Sequence, residues 1–444
     1  MRILIIGGVA AGMSAAAKMR REDPNVDIMV YEKGDQVSYG ACGLPYFVAG
    51  LNDDWKKLVA RTAKQFEESG ISVRLHHEVL QVLPEQKKVM VRNILTGEET
   101  TDTYDKLLIA AGANPIKPPF PGIDLPGVFT LKTIADAIAL KEAVLRPQIR
   151  EVAIVGGGYI GIEVLEAMVL QGKSVRCIEA GDQILAPFER EIADLAAEEI
   201  RKHGVALHLN EKVVAIKGDS ESLCCIETDR ETYKADLVVV AIGVRPETSF
   251  LAGSGIELAR SGAVKVDREM RTNFPDIYAA GDCAEVYHRV LEENVFIPLA
   301  TTANKCGKMV AANLLGERLT FDGTLGSASI KVLDMELART GLSERDCQQR
   351  GIPFESTVVK VPDHPGYYPN RTPIHFKLIV DPETHRLLGA HGGGAKGVVL
   401  RIDIFAVAIH NGMKAEELGQ VDLCYSPPFA QVWDAVLVAS NAVK

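Results

Sequence analysis

Two stretches of the chain carry the same order of apolar and polar positions. A short apolar run, RILIIGG, ends in glycine and passes into the amphipathic, charged stretch AGMSAAAKMRRE; a second, EVAIVGGG, passes into YIGIEVLEAMVLQG. Each predicts a buried strand, a glycine turn and a helix, because short apolar runs bounded by turn residues suit strands covered on both faces. Each is followed by another β-rich run that stops at an acid, DIMVYE at Glu32 and SVRCIEA at Glu179. A further pair repeats downstream: YDKLLIAAGANP (104–115) and KADLVVVAIGVRP (234–246) are apolar strands that close on A-x-G-x-x-P through Gly112 and Gly243. The duplicated order predicts a doubly wound α/β architecture built from two dinucleotide-binding halves.

Glycine in such a turn lets the backbone approach a pyrophosphate, the helix start offers unpaired N–H groups and a partial positive charge, and the acid accepts ribose hydroxyls. Gly156, Gly158 and Gly161 match G-x-G-x-x-G in full, whereas the first copy keeps Gly7 and Gly12 but has Val9 at the middle place. Glu32 and Glu179 follow Gly12 and Gly161 by 20 and 18 residues, close to the separation expected of a ribose-binding carboxylate. A lone glycine turn is more often only a turn, so the duplication carries the reading. Two nucleotides in one chain suggest a flavin and a nicotinamide, and hence hydride transfer with the organic chemistry carried by the cofactors.

Composition narrows the function classes. A chain of 444 residues predicts two or three domains. A net charge of −10 with no long basic block disfavours a nucleic-acid surface. No apolar stretch reaches the roughly 18 residues of a membrane span, and the glycine-broken N-terminal run reads as mature structure rather than a signal peptide. The eight cysteines (42, 177, 224, 225, 283, 306, 347 and 424) lack the spacing of a zinc site or a disulfide framework. No metal and reduced, cytoplasmic thiols are therefore expected. Cys224 and Cys225 read as free thiols in a strand, and Cys306 and Cys424 as structural.

Two local motifs carry candidate chemistry. In SYGACGLPYF (38–47), Cys42 precedes Gly43, Leu44 and Pro45, which suit a helix start; a thiol there is expected to have its pKa lowered, the alternative being a buried inert cysteine. Phe47 occupies the place a second cysteine would take in a CxxxxC pair. In TNFPDIYAAGDCAEV (272–286), Asp282 ends a β-like run. That acid suits a ligand site at a strand's carboxyl end, and equally a helix N-cap.

GGVAAG, SYGACGLPYF, YDKLLIAAGANP, GGGYIGIE and TNFPDIYAAGD, in this order across essentially the whole chain, resemble the FAD-dependent pyridine nucleotide-disulfide oxidoreductases. The single cysteine, with HPGYYPN (364–370) and CYSPPF (424–429), is most similar to the coenzyme A-disulfide reductases and CoA-persulfide reductases. The resemblance implies an FAD-binding domain at 1–113 and 247–322, an NAD(P)H-binding domain at 114–246 and an α+β dimerisation domain at 325–444. It places FAD at Gly7, Gly12, Glu32, Val79, Asp282 and Ala300, and the nicotinamide at Gly156, Gly158, Tyr159, Ile160, Gly161, Glu163 and Glu179, with Gly112 and Gly243 also at the cofactors. Tyr159 would be an aromatic gate over the flavin, where ordinary packing at a helix start is the plainer alternative. CoA, as substrate or as a mixed disulfide on Cys42, would meet Ser14, Lys18, Arg21, Ser38 and Asn304. Ala41 departs from the Asn found in some relatives.

The basic cluster Lys18, Arg20 and Arg21 suits CoA phosphates or an ordinary solvated helix face. Glu179 favours NADH, since it repels a 2′-phosphate and AGDQILAP after it has no Arg or Lys, although Arg190 is within reach and NADPH stays possible. With Phe47 in place, the oxidised partner of Cys42 must come from outside the chain or be an oxygen. The resemblance supplies Tyr367 and Tyr425 across a homodimer interface, where a phenol can protonate or hold a departing thiolate. Related oxidases and peroxidases carry a catalytic His where this chain has Ala10. Three readings follow: reduction of CoA disulfide, CoA persulfide or a related disulfide or polysulfide; an NADH oxidase working through a Cys42 sulfenic acid; and a redox-sensing flavoprotein that acts by partner binding.

Overall fold

The computed structural model describes residues 1–219 and 222–443. Ile3, Leu4 and Ile5 in the first apolar run, and Val152, Ala153 and Ile154 in the second, are fully buried, as expected of strands covered on both faces. The first sheet orders its parallel strands Ile277–Ala279, Lys106–Ile109, Arg2–Ile6, Asp27–Tyr31 and Ser72–Arg74. The second orders Ala206–His208, Ser174–Ile178, Glu151–Val155, Leu237–Val240 and Val128–Phe129, again all parallel. In both sheets the glycine-ended strand is central and the acid-ended strand lies beside it.

The duplication extends further. A three-stranded antiparallel sheet belongs to each unit: His77–Leu83, Lys88–Asn93 and Glu99–Thr103 in the first, and Val213–Gly218, Leu223–Thr228 and Thr232–Lys234 in the second. The two A-x-G-x-x-P segments pair with each other, Ala113–Pro115 running antiparallel to Val244–Pro246. The chain thus enters and leaves the second unit along one ribbon, and returns to complete the first sheet with Ile277–Ala279. Helix Ala10–Glu22 packs against helix Ala300–Leu314. Their closest approach is at Gly307, where a Cβ would lie 2.4 Å from the carbonyl oxygen of Ala11.

A third unit follows, with five antiparallel strands in the order Ala328–Val332, Met335–Gly341, Leu387–Gly394, Pro373–Val380 and Glu355–Pro362. Helix Val399–His410 covers one face, and Phe405 meets Phe376 edge to face at 5.4 Å between centroids. Charged residues tie this unit to the second. Lys377, only 5% exposed, reaches Glu189 and Glu191 at 3.0 Å and Glu344 at 2.9 Å. The carboxylate of Glu166 accepts from the Lys331 ammonium and from the Leu333 amide. Burial drives the pKa of His391 well down, consistent with its Nδ1 accepting from the Glu189 amide at 3.1 Å. Among the described residues no helix is long and apolar enough to cross a membrane.

Candidate active site

The two glycine turns superimpose in their chemistry. Gly7 and Gly156 have φ of +102° and +103°, and a Cβ on Gly12 or Gly161 would lie 2.0 Å from the carbonyl oxygen of Gly7 or Gly156. Only glycine lets the helix pack this tightly on the turn. Both helices begin without a side-chain cap, so their first N–H groups stay free for an anion. Glu32 accepts from the Gly8 and Gly34 amides, each at 2.7 Å. Glu179 repeats this with Gly157 at 2.7 Å and Gly181 at 2.6 Å. Each acid is thereby fixed at the carboxyl end of its strand, beside the crevice. These features fit two dinucleotides, FAD and NAD(P)H. Val79 is buried in the core of the first unit, Ala300 opens its helix, and Gly112 and Gly243 both take positive φ beside the connecting ribbon.

Cys42 lies in a 3-10 turn, Ala41–Gly43, that runs directly into the short helix Leu44–Val48. Ser38 holds a left-handed conformation at φ 51°, and its amide donates to the Gly8 carbonyl at 2.9 Å. The cysteine loop is thus anchored on the first glycine turn. The Cys42 thiol is exposed, while Phe47 is buried in the core with the Lys141 ammonium 4.1 Å from its ring centroid. A core phenylalanine therefore fills the second-cysteine position. The expectation of a lowered thiol pKa is not met. Desolvation raises it, the carboxylates of Glu163 and Asp282 add to this, and Lys132 and a hydrogen bond from its own backbone oppose them. A five-residue helix contributes too little dipole to outweigh two nearby acids.

Those acids come from opposite units. Asp282 caps no helix, since a turn and the strand Val286–His288 follow it; its Oδ2 instead accepts from Lys132 Nζ at 3.3 Å. Lys132 escaped the sequence reading because nothing local marks a lone lysine 150 residues from its partner. Glu163 stands one helical turn after Tyr159, and burial together with Glu166 raises its pKa to about 7. Tyr159 is half-buried against Phe188, 6.0 Å between centroids, with Ile160 beside it, partly buried against the same core. Desolvation raises the Tyr159 phenol to about 12. Helix Tyr159–Leu170 packs against Leu44–Val48, so the second crevice opens beside Cys42.

Ser14 and Asn304, 290 residues apart, meet at 2.5 Å from Oγ to Oδ1. Ser14, Lys18 and Arg21 share one helix face by their spacing; Lys18 pairs with Glu22 at 2.7 Å and Arg21 is exposed. Arg20 departs from the proposed basic cluster, because its guanidinium donates to the carbonyls of Pro24, Val26 and Gly70. Tyr367 and Tyr425 join their hydroxyls at 3.0 Å. Their loops are held from beneath by Arg401, which pairs with Asp434 at 2.8 Å and donates to the carbonyls of Asp363 and Phe429. Tyr367 is 74% exposed and Phe429 77%, and among the described residues no hydrogen bond links either tyrosine to Cys42 within the chain.

Residues 1–307 match the family described as pyridine nucleotide-disulphide oxidoreductase, and residues 327–436 its dimerisation domain. The chain belongs to the pyridine nucleotide-disulphide oxidoreductases. Members of this family use FAD and NAD(P)H, which the two crevices fit. Over its full length the chain is 38% identical to the CoA-dependent NAD(P)H sulfur oxidoreductase of Pyrococcus furiosus, covering 99% of that protein. It is 30% identical to the coenzyme A disulfide reductase of Staphylococcus aureus, with both chains covered in full. Among solved structures, a water-forming NADH oxidase from Lactobacillus brevis aligns at a TM-score of 0.95 with 32% identity, over all of this chain and 98% of the other.

Proposed function

We propose that this oxidoreductase reduces CoA disulfide or CoA persulfide with NADH through Cys42. One observation carries the reading: the exposed thiol beside both crevices has a core phenylalanine where a resolving cysteine would stand. In this reading its disulfide partner comes from outside the chain, as a small molecule. The similarity to a CoA-dependent sulfur oxidoreductase and a CoA disulfide reductase supports CoA as the carrier.

In the proposed cycle the Cys42 thiolate attacks one sulfur of the acceptor, forming Cys42–S–S–CoA and expelling the other thiolate or hydrosulfide. FAD, when bound, supplies the two-electron step that carries reducing equivalents from nicotinamide to sulfur. Breaking the mixed disulfide releases CoA and restores the thiolate. Lys132 favours that thiolate against the acids around it. Ser14, Lys18, Arg21, Ser38 and Asn304 hold CoA along the first helix, and Tyr159 shields the flavin site. In a homodimer, Tyr367 of the partner subunit and Tyr425 of the partner subunit protonate or hold the leaving thiolate. We assign FAD to 1–113 with 247–322, NADH to 114–246 and dimerisation to 325–444. NADH is favoured because Arg190, the cation that the sequence suggests could reach round, pairs with Asp182 at 2.9 Å and Asp194 at 3.2 Å. All eight thiols are free, which suits a reducing cytoplasm.

Anaerobic NADH oxidation on addition of CoA disulfide tests the reading. We expect turnover that falls at least about 1000-fold in Cys42→Ser, which keeps its bound flavin. The likeness to the water-forming oxidase favours a second reading, with oxygen as acceptor. Oxidation that begins only when air is admitted would establish it instead.

A further inference from the structure

Cys224 and Cys225 have no part in this chemistry. They lie in the strand Leu223–Thr228, the middle of the three-stranded sheet of the second unit. Neighbours in a regular strand point to opposite faces. Here the pairing passes from Lys217 opposite Cys225 to Gly218 opposite Leu223, which leaves Cys224 as the extra residue of a β-bulge. The bulge turns both side chains together, and the two sulfurs stand 3.6 Å apart. Cys224 is exposed and Cys225 partly so. Lys217 lies on the facing strand, with its ammonium 2.6 Å from Glu227 and its carbonyl oxygen 3.3 Å from the Cys224 sulfur.

The sulfur separation selects a coordination geometry. With zinc–sulfur bonds of about 2.3 Å, two thiolates on a tetrahedral ion stand roughly 3.8 Å apart, and on a larger ion such as cadmium somewhat further, against roughly 4.6 Å on a linear ion at the zinc bond length. The observed spacing fits the bent arrangement. We propose that Cys224 and Cys225 form a two-thiolate site for a soft divalent cation of the zinc and cadmium type. Two metal–sulfur bonds form, the two thiol protons leave to solvent, and no electrons are transferred. The remaining positions on the ion can take water or an external thiolate. Soft thiolate donors select such ions over magnesium or calcium.

Cadmium alone is the probe, added to the FAD-loaded protein in thiol-free buffer and followed by its sulfur-to-metal charge-transfer absorption. A Cys42→Ser, Cys424→Ser background removes the other exposed thiols. We expect one equivalent to bind, and Cys224→Ser, Cys225→Ser or Cys224→Ala each to weaken binding at least about 100-fold, because a single thiolate loses the chelate's effective concentration. With Cys42 and Cys424 intact, the same three substitutions should leave NADH-dependent disulfide reduction unchanged, which also shows that they fold. Absence of the band in the background protein, or equally tight binding after any one of the substitutions, would overturn the site.

Discussion

At the scale of single residues, the Cys42 thiol has a pKa above its ordinary value even though a hydrogen bond from its own backbone lowers it. Cys42 stands among Glu163, Asp282 and Lys132, which reach it from different elements, so its ionisation is set by the assembled site. Glu163 is the member whose titration falls near neutrality. Its pKa rises from 4.5 to about 7 on folding, which means that the folded state prefers the protonated form. Below about pH 4.5 both states are protonated and the group is neutral to stability; between pH 4.5 and about 7 the unfolded state ionises first, and the wild type progressively loses about 3 kcal/mol. Glu163→Gln stays uncharged and escapes this loss. We expect thermal unfolding of variant and wild type to coincide below pH 4.5, to diverge progressively between pH 4.5 and about 7 and to run parallel above it, with the variant the more stable; profiles parallel across the whole range would refute the assignment.

At the scale of elements, the duplicated strand, glycine turn and helix were legible because each is written in contiguous residues. Apolar runs, glycine spacing and a terminal acid together specify both crevices. The third unit was harder to read. LLGAHGGG looks like turn sequence, yet Leu387–Gly394 is the central strand of its sheet. Gly392 is needed there because a Cβ would fall 2.7 Å from the Phe376 ring. Equally hidden were the Lys132 to Asp282 bond, which joins residues 150 apart, and the turning away of Arg20, whose partners are backbone carbonyls that no side-chain pattern marks. Ser14 and Asn304, named separately by family likeness, proved to be bonded neighbours. The tyrosine loops show the same dependence, since Arg401 with Asp434 fixes both from below. Arg401→Leu should cost about 3–5 kcal/mol by leaving Asp434 buried and unpaired. It should also lower turnover with CoA disulfide more than Asp434→Leu combined with it, in which no lone charge remains. Equal losses in the single and double variants would argue against that coupling.

At the scale of the whole molecule, the third unit presents an apolar face around the tyrosine pair. Phe429, Val432 and Trp433 are 77%, 69% and 56% exposed, a grouping that suits burial against a second copy. Phe429→Glu with Trp433→Glu should yield monomers by sedimentation, with flavin still bound and disulfide reduction sharply reduced; active monomers would remove the tyrosines from the site. The ribbon of Ala113–Pro115 and Val244–Pro246 has a consequence for biosynthesis. Because the first sheet waits for its edge strand Ile277–Ala279, the nascent chain holds every strand of its second nucleotide sheet before it holds every strand of its first. A polypeptide truncated after Pro246 should protect the second core from proteolysis while the N-terminal sheet stays labile. The ribosome thus delivers the inserted sheet early, and the outer sheet closes beside a neighbour whose strands are already in hand.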